Sequence, residues 1–290
     1  MIYQYHFDFK DEKVLQSDPP KNIRGIIPVI EDPQMVLSET FQTVYPWMPA
    51  SGMEIRYISN LPFSKENHDI SWAMEIRDVL TLFWSKECGE IRYKKGLKYS
   101  AERLQFWLYH TFFPVMLELR GIYHILHVGS VEIVGKPVLF SAHSFGGKST
   151  MTDYFIQRGH TMLSDDALGI EKIGTQYHAI PSYPFHRPYR KAEELGYPVS
   201  SFTTESKPVQ AVYLLEKSEP DATVEIVELK GIEKFKAFHY STFIDLDFMK
   251  RERFDFFTKM AKHVPVYKVM IPWDLDRLPE VYEKIVHWSK

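Results

Sequence analysis

Residues 142 to 149 read Ala-His-Ser-Phe-Gly-Gly-Lys-Ser and follow a short apolar run, Pro137-Val138-Leu139-Phe140. A strand, a glycine turn and a helix opened by Lys148-Ser149-Thr150 form the order of a phosphate-cradling loop. Gly146 and Gly147 let backbone N–H groups turn inward on an anion, and the new helix adds its positive end. In such a loop His143, Ser144, Phe145, Gly146, Gly147, Lys148, Ser149 and Thr150 surround the phosphates of a nucleotide. Lys148 reaches the β- and γ-phosphates and Ser149 holds Mg²⁺, so the cofactors expected are ATP and Mg²⁺. One position departs from the pattern: Ala142 stands where glycine is usual, and alanine takes a positive φ only at a cost. The plainer alternative is a glycine turn between an ordinary strand and helix.

Asp165 and Asp166 lie 17 and 18 residues after Lys148, at the end of the next strand in the pattern. Ligands of α/β folds sit at strand C-termini. A carboxylate there can take the proton of an attacking hydroxyl or hold the metal, and two adjacent ones can divide the roles. Asp165 is assigned the proton and Asp166 the metal, together with Ser149. The plainer alternative is a solvated Ser-Asp-Asp turn. His127 lies 21 residues before Lys148 on a strand entering the same region, where a satisfied core histidine is the alternative. Arg187, in the loop Pro181-Ser182-Tyr183-Pro184-Phe185-His186-Arg187, offers a planar fork to a phosphate, with Arg190 and Lys191 as substitutes.

The rest of the chain bounds this chemistry. At 290 residues it holds one large domain or two small ones. A net charge of −3 gives no electrostatic case for nucleic acid. Cys88 is the only cysteine, which excludes an internal disulfide and a multi-cysteine metal site and fits a reducing compartment. The first residues lack a basic segment followed by an apolar one, and no apolar stretch approaches the roughly 20 residues that cross a bilayer. A cytoplasmic protein with no membrane association is expected.

The elements that must position these residues fall into two parts. Residues 1–100 read as a β-rich module, with Tyr3, Tyr5, Phe7 and Phe9 alternating at strand period and Met53–Ile58 and Gly89–Tyr93 alternating again. At Ser100 the period becomes helical, through Leu104, Trp107, Leu108, Phe112, Val115 and Leu119, with Pro114 kinking or splitting the helix. From 121 onward the pattern predicts strands at 123–128 and 131–134, a helix over 148–157 closed by Gly159, strands at 160–163 and 167–173, and a short helix at 191–195. It continues with strands at 209–215, 223–229 and 267–271 and helices at 251–261 and 278–288. The fold class expected is α/β or α+β, with a phosphate-loop domain on a mixed sheet over 101–290 and the β-rich module before it.

Several of these strings stand in a fixed register: His127, then Gly135-Lys136-Pro137-Val138-Leu139-Phe140, the loop ending Gly147-Lys148-Ser149-Thr150, Arg158-Gly159-His160 and Ser164-Asp165-Asp166. Together they resemble the kinase domain of HPr kinase/phosphorylase. Pro181-Ser182-Tyr183-Pro184 with Arg187, and the tail from Val264 to Pro279, resemble the divergent HPr kinase-related kinases. Some of these accompany lasso-peptide biosynthesis and phosphorylate a serine of the precursor. The resemblance covers roughly residues 120–290.

It implies a serine kinase using Mg-ATP. Lys148 stands at the loop lysine, Ser149 at the metal ligand, Asp165 at the base, Asp166 at its neighbour and His127 at the active-site histidine. The partner implied is a peptide or small protein with an acceptor serine, which the β-rich module presents by strand addition. True HPr kinases are hexamers, so a homo-oligomer is also among the expectations. The glutamate–isoleucine–arginine–glycine segment of the true HPr enzymes has no counterpart, so the resemblance does not extend to the phosphorylase half-reaction or to HPr. A nucleotide sensor without transfer activity and a kinase of a free metabolite are the alternatives.

Overall fold

The computed structural model describes residues 1–64, 66, 70–188, 191–243 and 246–290. Contacts divide the chain into two units, Met1–Ile122 with Arg190–Leu195, and Tyr123–Tyr189 with Gly196–Lys290.

The first unit is built on seven strands: β1 (Tyr5–Phe9), β2 (Gly25–Glu31), β3 (Gln42–Ala50), β4 (Met53–Ser59), β5 (Trp72–Ile76), β6 (Leu80–Ser85) and β7 (Glu90–Lys95). They form one sheet in the order β1-β2-β7-β6-β5-β4-β3. Ser51 and Gly52 join β3 to β4 with φ of 46° and 82°, the doubly left-handed turn that matches strand twist. Edge strand β3 carries Pro46 and Pro49, which remove two N–H donors from an open sheet edge.

The apolar helical stripe after Ser100 belongs to this unit. It forms α1 (Ala101–Trp107), a wider π-helical stretch Leu108–Phe112, and α2 (Phe113–Leu119). Ser100 caps α1, its hydroxyl accepting the Arg103 N–H at 3.3 Å. Pro114 lacks an N–H and crowds the turn before it, and the looser π register just ahead of it absorbs that break. Phe113 meets Phe7 edge-on at 4.7 Å and Phe112 stacks on Trp72 at 4.4 Å. These contacts carry the first unit to Ile122, past the boundary at 100 expected from the change of period.

The second unit contains β8 (His124–Leu126), β9 (Gly129–Ile133), β10 (Lys136–Ser141), α3 (Lys148–Gln157), β11 (Met162–Ser164), β12 (Leu168–Ile173) and β13 (Gln176–Ile180). Three two-residue strands follow, β14 (Phe185–His186), β15 (Tyr197–Pro198) and β16 (Lys207–Pro208), with β14 paired to β15 and β16 to β13. The unit ends with β17 (Ala211–Ser218), β18 (Glu225–Glu228), α4 (Glu233–His239), α5 (Lys250–Met260), β19 (Val266–Pro272) and α6 (Leu278–Trp288). The main sheet runs β11-β9-β10-β17-β19-β18, and β16-β13-β12-β8 form a second sheet.

Successive residues of β10 point to opposite faces. Val138 and Phe140 pack in one core with Met151 and Phe155 of α3 and Val281 and Ile285 of α6. Leu139 packs in the other, with Phe238 of α4, Phe257 of α5 and Leu168 and Ile170 of β12. A strand covered on both faces reads as an unbroken apolar run, which is why 137–140 does. The fold is mixed α+β. Among the described residues no helix is long and apolar enough to cross a membrane.

One expected element does not form and one unexpected helix does. Residues 191–195 form no helix: Glu193 has a φ of 54°, and its carboxylate accepts the Trp107 indole N–H at 2.7 Å and pairs with Arg103 at 3.0 Å. Those partners lie far away in sequence and override local helix propensity. Helix α4 is additional to the elements expected.

Candidate active site

The register of β9 places the candidate residues. Gly129 pairs with Phe140 of β10, and Ser130 with Ser164 of β11, both antiparallel. β10 and β11 therefore run the same way on either side of β9, about 10 Å apart at two strand spacings. The loop 142–147 continues β10, Asp165-Asp166 continue β11, and His127 enters β9, so all three lie at one edge of the sheet. β17 and β19 are parallel to β10 and end at the same edge. This is the C-terminal edge where α/β sheets place their ligands.

The loop folds tightly before α3. Gly147 caps the helix at φ +88°. A Cβ on Gly146 would lie 2.7 Å from the Ala142 methyl and 2.8 Å from the His143 carbonyl oxygen, so position 146 has room only for glycine. Ala142 itself is not among the residues with positive φ, and its methyl costs no backbone strain. Phe145 does adopt one, at 59°, and is 78% exposed. His143, Ser144 and Phe145 are exposed, and the His143 ring rests on Tyr240 with centroids 3.6 Å apart. Lys148 is buried, and its ammonium donates to the Ala142 carbonyl at 3.3 Å, which lays the side chain back along the loop. Ser149 is half-buried in the first turn of α3 and Thr150 is exposed. The helix comes close to β9 because Gly129 has no side chain, where a Cβ would lie 2.0 Å from the Thr152 hydroxyl.

The acidic pair is held differently. Asp165 is 3% exposed; its Oδ2 accepts the Arg187 backbone N–H at 2.7 Å and lies 2.9 Å from His186 Nδ1, which is near enough for an ion pair but out of line for a hydrogen bond. His186 is fully buried, and its other ring nitrogen lies 3.4 Å from Asp153 of α3. The second carboxylate oxygen, Oδ1, is buried with no partner. Such an atom costs about 1–3 kcal/mol unless a donor reaches it. Asp166 is less enclosed: Oδ1 lies 2.9 Å from His127 Nδ1 and Oδ2 lies 3.4 Å from the Arg187 guanidinium. His127 Nδ1 also stands 2.9 Å from the Asp166 carbonyl. Tyr183 is fully buried beside the pair with no partner for its hydroxyl. Burial, with Asp166 and Asp165 adding to it, holds that phenol well above its ordinary value, so it keeps its proton.

The structure brings His127, Asp165, Asp166 and Arg187 into one cluster. Lys191 instead pairs with Glu194 at 3.8 Å, on a largely exposed side chain. Arg190 lies outside the described residues. His186, Tyr183 and Asp153 were not singled out from sequence. His186 and Tyr183 stand in the Pro181–Arg187 loop, beside Arg187 in sequence.

Mg²⁺ is usually held by one or two protein oxygens, with phosphates and waters completing the shell. Ser149 and Asp166 supply donors of that kind. Among the described residues no group of three or more His, Cys, Asp or Glu is placed to hold a metal without a nucleotide.

No family model and no curated protein sequence matches the chain. Among solved structures, it is similar to the Hpr(Ser) kinase/phosphatase from Coxiella burnetii at 15% identity and a TM-score of 0.36. That match covers 56% of this chain and 88% of the other. A likeness at this level fixes neither family nor substrate.

Proposed function

We propose that this protein is an ATP-dependent phosphotransferase that moves the γ-phosphoryl group of Mg-ATP onto a serine hydroxyl of a peptide or small protein. One observation carries the reading: the glycine loop with Lys148, His127 and the acidic pair share one sheet edge, with the loop and the pair only two strand spacings apart. The loop N–H groups and Lys148 hold the phosphates and offset charge gathering on the transferred group. Ser149 and Asp166 would hold the Mg²⁺, which would supply positive charge to offset that of the phosphates. The acceptor hydroxyl donates to Asp165 Oδ1, a buried carboxylate oxygen left without a partner. Arg187 N–H and His186 fix the opposite oxygen. As the serine oxygen bonds to the γ-phosphorus, the bond to the β–γ bridging oxygen breaks, ADP leaves, and the hydroxyl proton passes to Asp165. Positioning and electrostatics supply most of the acceleration. The resemblance to HPr kinase-related kinases makes a lasso-peptide precursor the first acceptor to try.

Mass spectrometry of serine-containing peptides, small proteins and free hydroxyl metabolites incubated with Mg-ATP tests the proposal. A phosphoserine product on a peptide or small protein, lost in Lys148→Ala, is the expected result. Phosphorylation confined to free metabolites overturns the acceptor class. One observation favours a second reading, a nucleotide sensor without transfer: the Asp165 carboxylate is nearly sealed from solvent. ATP binding with no ADP release against any acceptor would select that reading.

A further inference from the structure

Beside the phosphate loop the second unit holds a cavity of about 220 Å³ whose wall joins the loop to the end of β19. Gly147, Thr150 and Met151 supply one side and Ile271, Trp273 and Leu278 the other. We infer that this cavity seats the base of the nucleotide, stacked on the Trp273 indole. The inference rests on the proposed nucleotide-binding role of the loop.

Three features point to a flat aromatic occupant continuous with a triphosphate. The cavity opens against Gly147 and the first turn of α3, so a nucleotide with phosphates on residues 143–149 leaves its sugar and base there. The wall is mostly apolar, with Met151, Ile271 and Leu278 around an indole that is 50% exposed. Large aromatic surface left half open beside a polar loop is what a stacking partner covers. Third, the indole is held in place. The Lys217 ammonium sits 3.7 Å from its centroid and is not part of the cavity wall, so it braces the ring from another side. The Trp273 backbone N–H is bonded to the Ser218 carbonyl, which fixes the chain that carries the ring. The indole edge lies against the loop, where a Cβ built on Gly147 would stand 3.6 Å from it, an ordinary contact.

Two backbone donors at the end of β19, those of Trp273 and Asp274, are already used. Besides Trp273, Asp274 N–H bonds the Pro272 carbonyl, and one oxygen of the Asp274 carboxylate accepts the Asp276 N–H. The base is therefore held by its faces rather than read along its edges. Every base offers such a face.

Calorimetric titration of the full chain with ATP, GTP and inorganic tripolyphosphate tests this, using wild type, Trp273→Ala and Trp273→Phe. Loss of stacking in Trp273→Ala should weaken ATP binding roughly 5- to 150-fold and leave tripolyphosphate binding unchanged, with Trp273→Phe retaining most of the affinity. ATP and GTP should bind wild type within about tenfold of each other. Wild-type ATP affinity in Trp273→Ala overturns the seat and leaves the proposed function standing. An equal loss for ATP and tripolyphosphate also overturns it, because the indole would then act through the loop. An ATP preference above about 100-fold shows that edges are read and refutes stacking alone. If wild type binds neither ATP nor tripolyphosphate, the phosphate-loop reading fails and the base seat falls with it.

Discussion

The phosphate loop and the acidic pocket sit at the same sheet edge and are built in opposite ways. The loop residues His143, Ser144 and Phe145 are exposed, and Lys148 lies back against the Ala142 carbonyl. The acidic pair is wrapped instead. Asp165 is clamped by Arg187 N–H and His186, and Asp166 lies between His127 and Arg187. The side chains at the loop tip stand in solvent, whereas a wrapped carboxylate serves as a base only after something uncovers it. Under the proposed function, the difference separates nucleotide binding at the exposed loop from proton acceptance, which waits for something to uncover Asp165.

Asp165→Asn tests that separation with the largest expected effect. An amide cannot take the hydroxyl proton, so the transfer rate should fall about 10²- to 10⁴-fold. ATP affinity, carried by the loop, should stay at the wild-type value. Stopped single-turnover transfer of labelled γ-phosphate and an ATP titration read the two quantities in one preparation. If affinity and transfer fall together, the two regions are one coupled unit. If transfer is unchanged, Asp166, the more exposed carboxylate, is the acceptor of the proton.

How each region could be read from sequence follows the same division. The loop is local: an apolar run, two glycines and a helix from 148 to 157 appear in chain order, and the helix forms with those bounds. The pocket is assembled from distant pieces. Asp165 meets the Arg187 N–H across 22 residues, and His186 is placed by the β14–β15 pair. That pair closes tightly only because Gly196 adopts φ +90° beneath the His186 carbonyl. Nothing in residue spacing marks His186 or Tyr183 as neighbours of Asp165, because their approach depends on backbone turns that local pattern does not encode. The helix expected at 191–195 failed for the same reason, its Glu193 being taken by Trp107 and Arg103. Trp273 joins Gly147 only through the parallel pairing of β10, β17 and β19.

Two histidines three positions apart sharpen the comparison through pH. His127 faces the Asp166 carboxylate at the pocket. His124 is half-buried against Phe256 with ring centroids 3.9 Å apart, and its Nδ1 is buried with no partner. Burial, with Arg253 adding to it, lowers its pKa to about 4. Between pH 6.5 and that value the unfolded chain binds a proton on His124 that the folded chain does not. Stability therefore falls as pH falls through this window, by about 3 kcal/mol at its foot. Urea unfolding at pH 7 and pH 5 should show a drop of about 2 kcal/mol from this residue, absent in His124→Phe. A variant as acid-sensitive as wild type would place the effect elsewhere, in the wrapped acidic pocket itself.

The smallest effect probes whether the open loop is held by backbone conformation alone. Gly147 sits at φ +88°, yet a Cβ there meets only the Trp273 ring edge at ordinary contact distances of 3.6 and 3.8 Å. Gly147→Ala therefore carries a conformational cost with no steric one, about 1–2 kcal/mol in unfolding free energy. Asparagine tolerates left-handed backbone better than alanine, so Gly147→Asn should cost less although its side chain is larger. Gly146→Ala reverses the logic, since there the obstacle is the Ala142 methyl at 2.7 Å, and Gly146→Asn should be worse than Gly146→Ala. Urea midpoints for the four variants decide it. The same ranking at both positions would mean that crowding governs the whole loop, and the loop would then be as packed as the acidic pocket it is contrasted with.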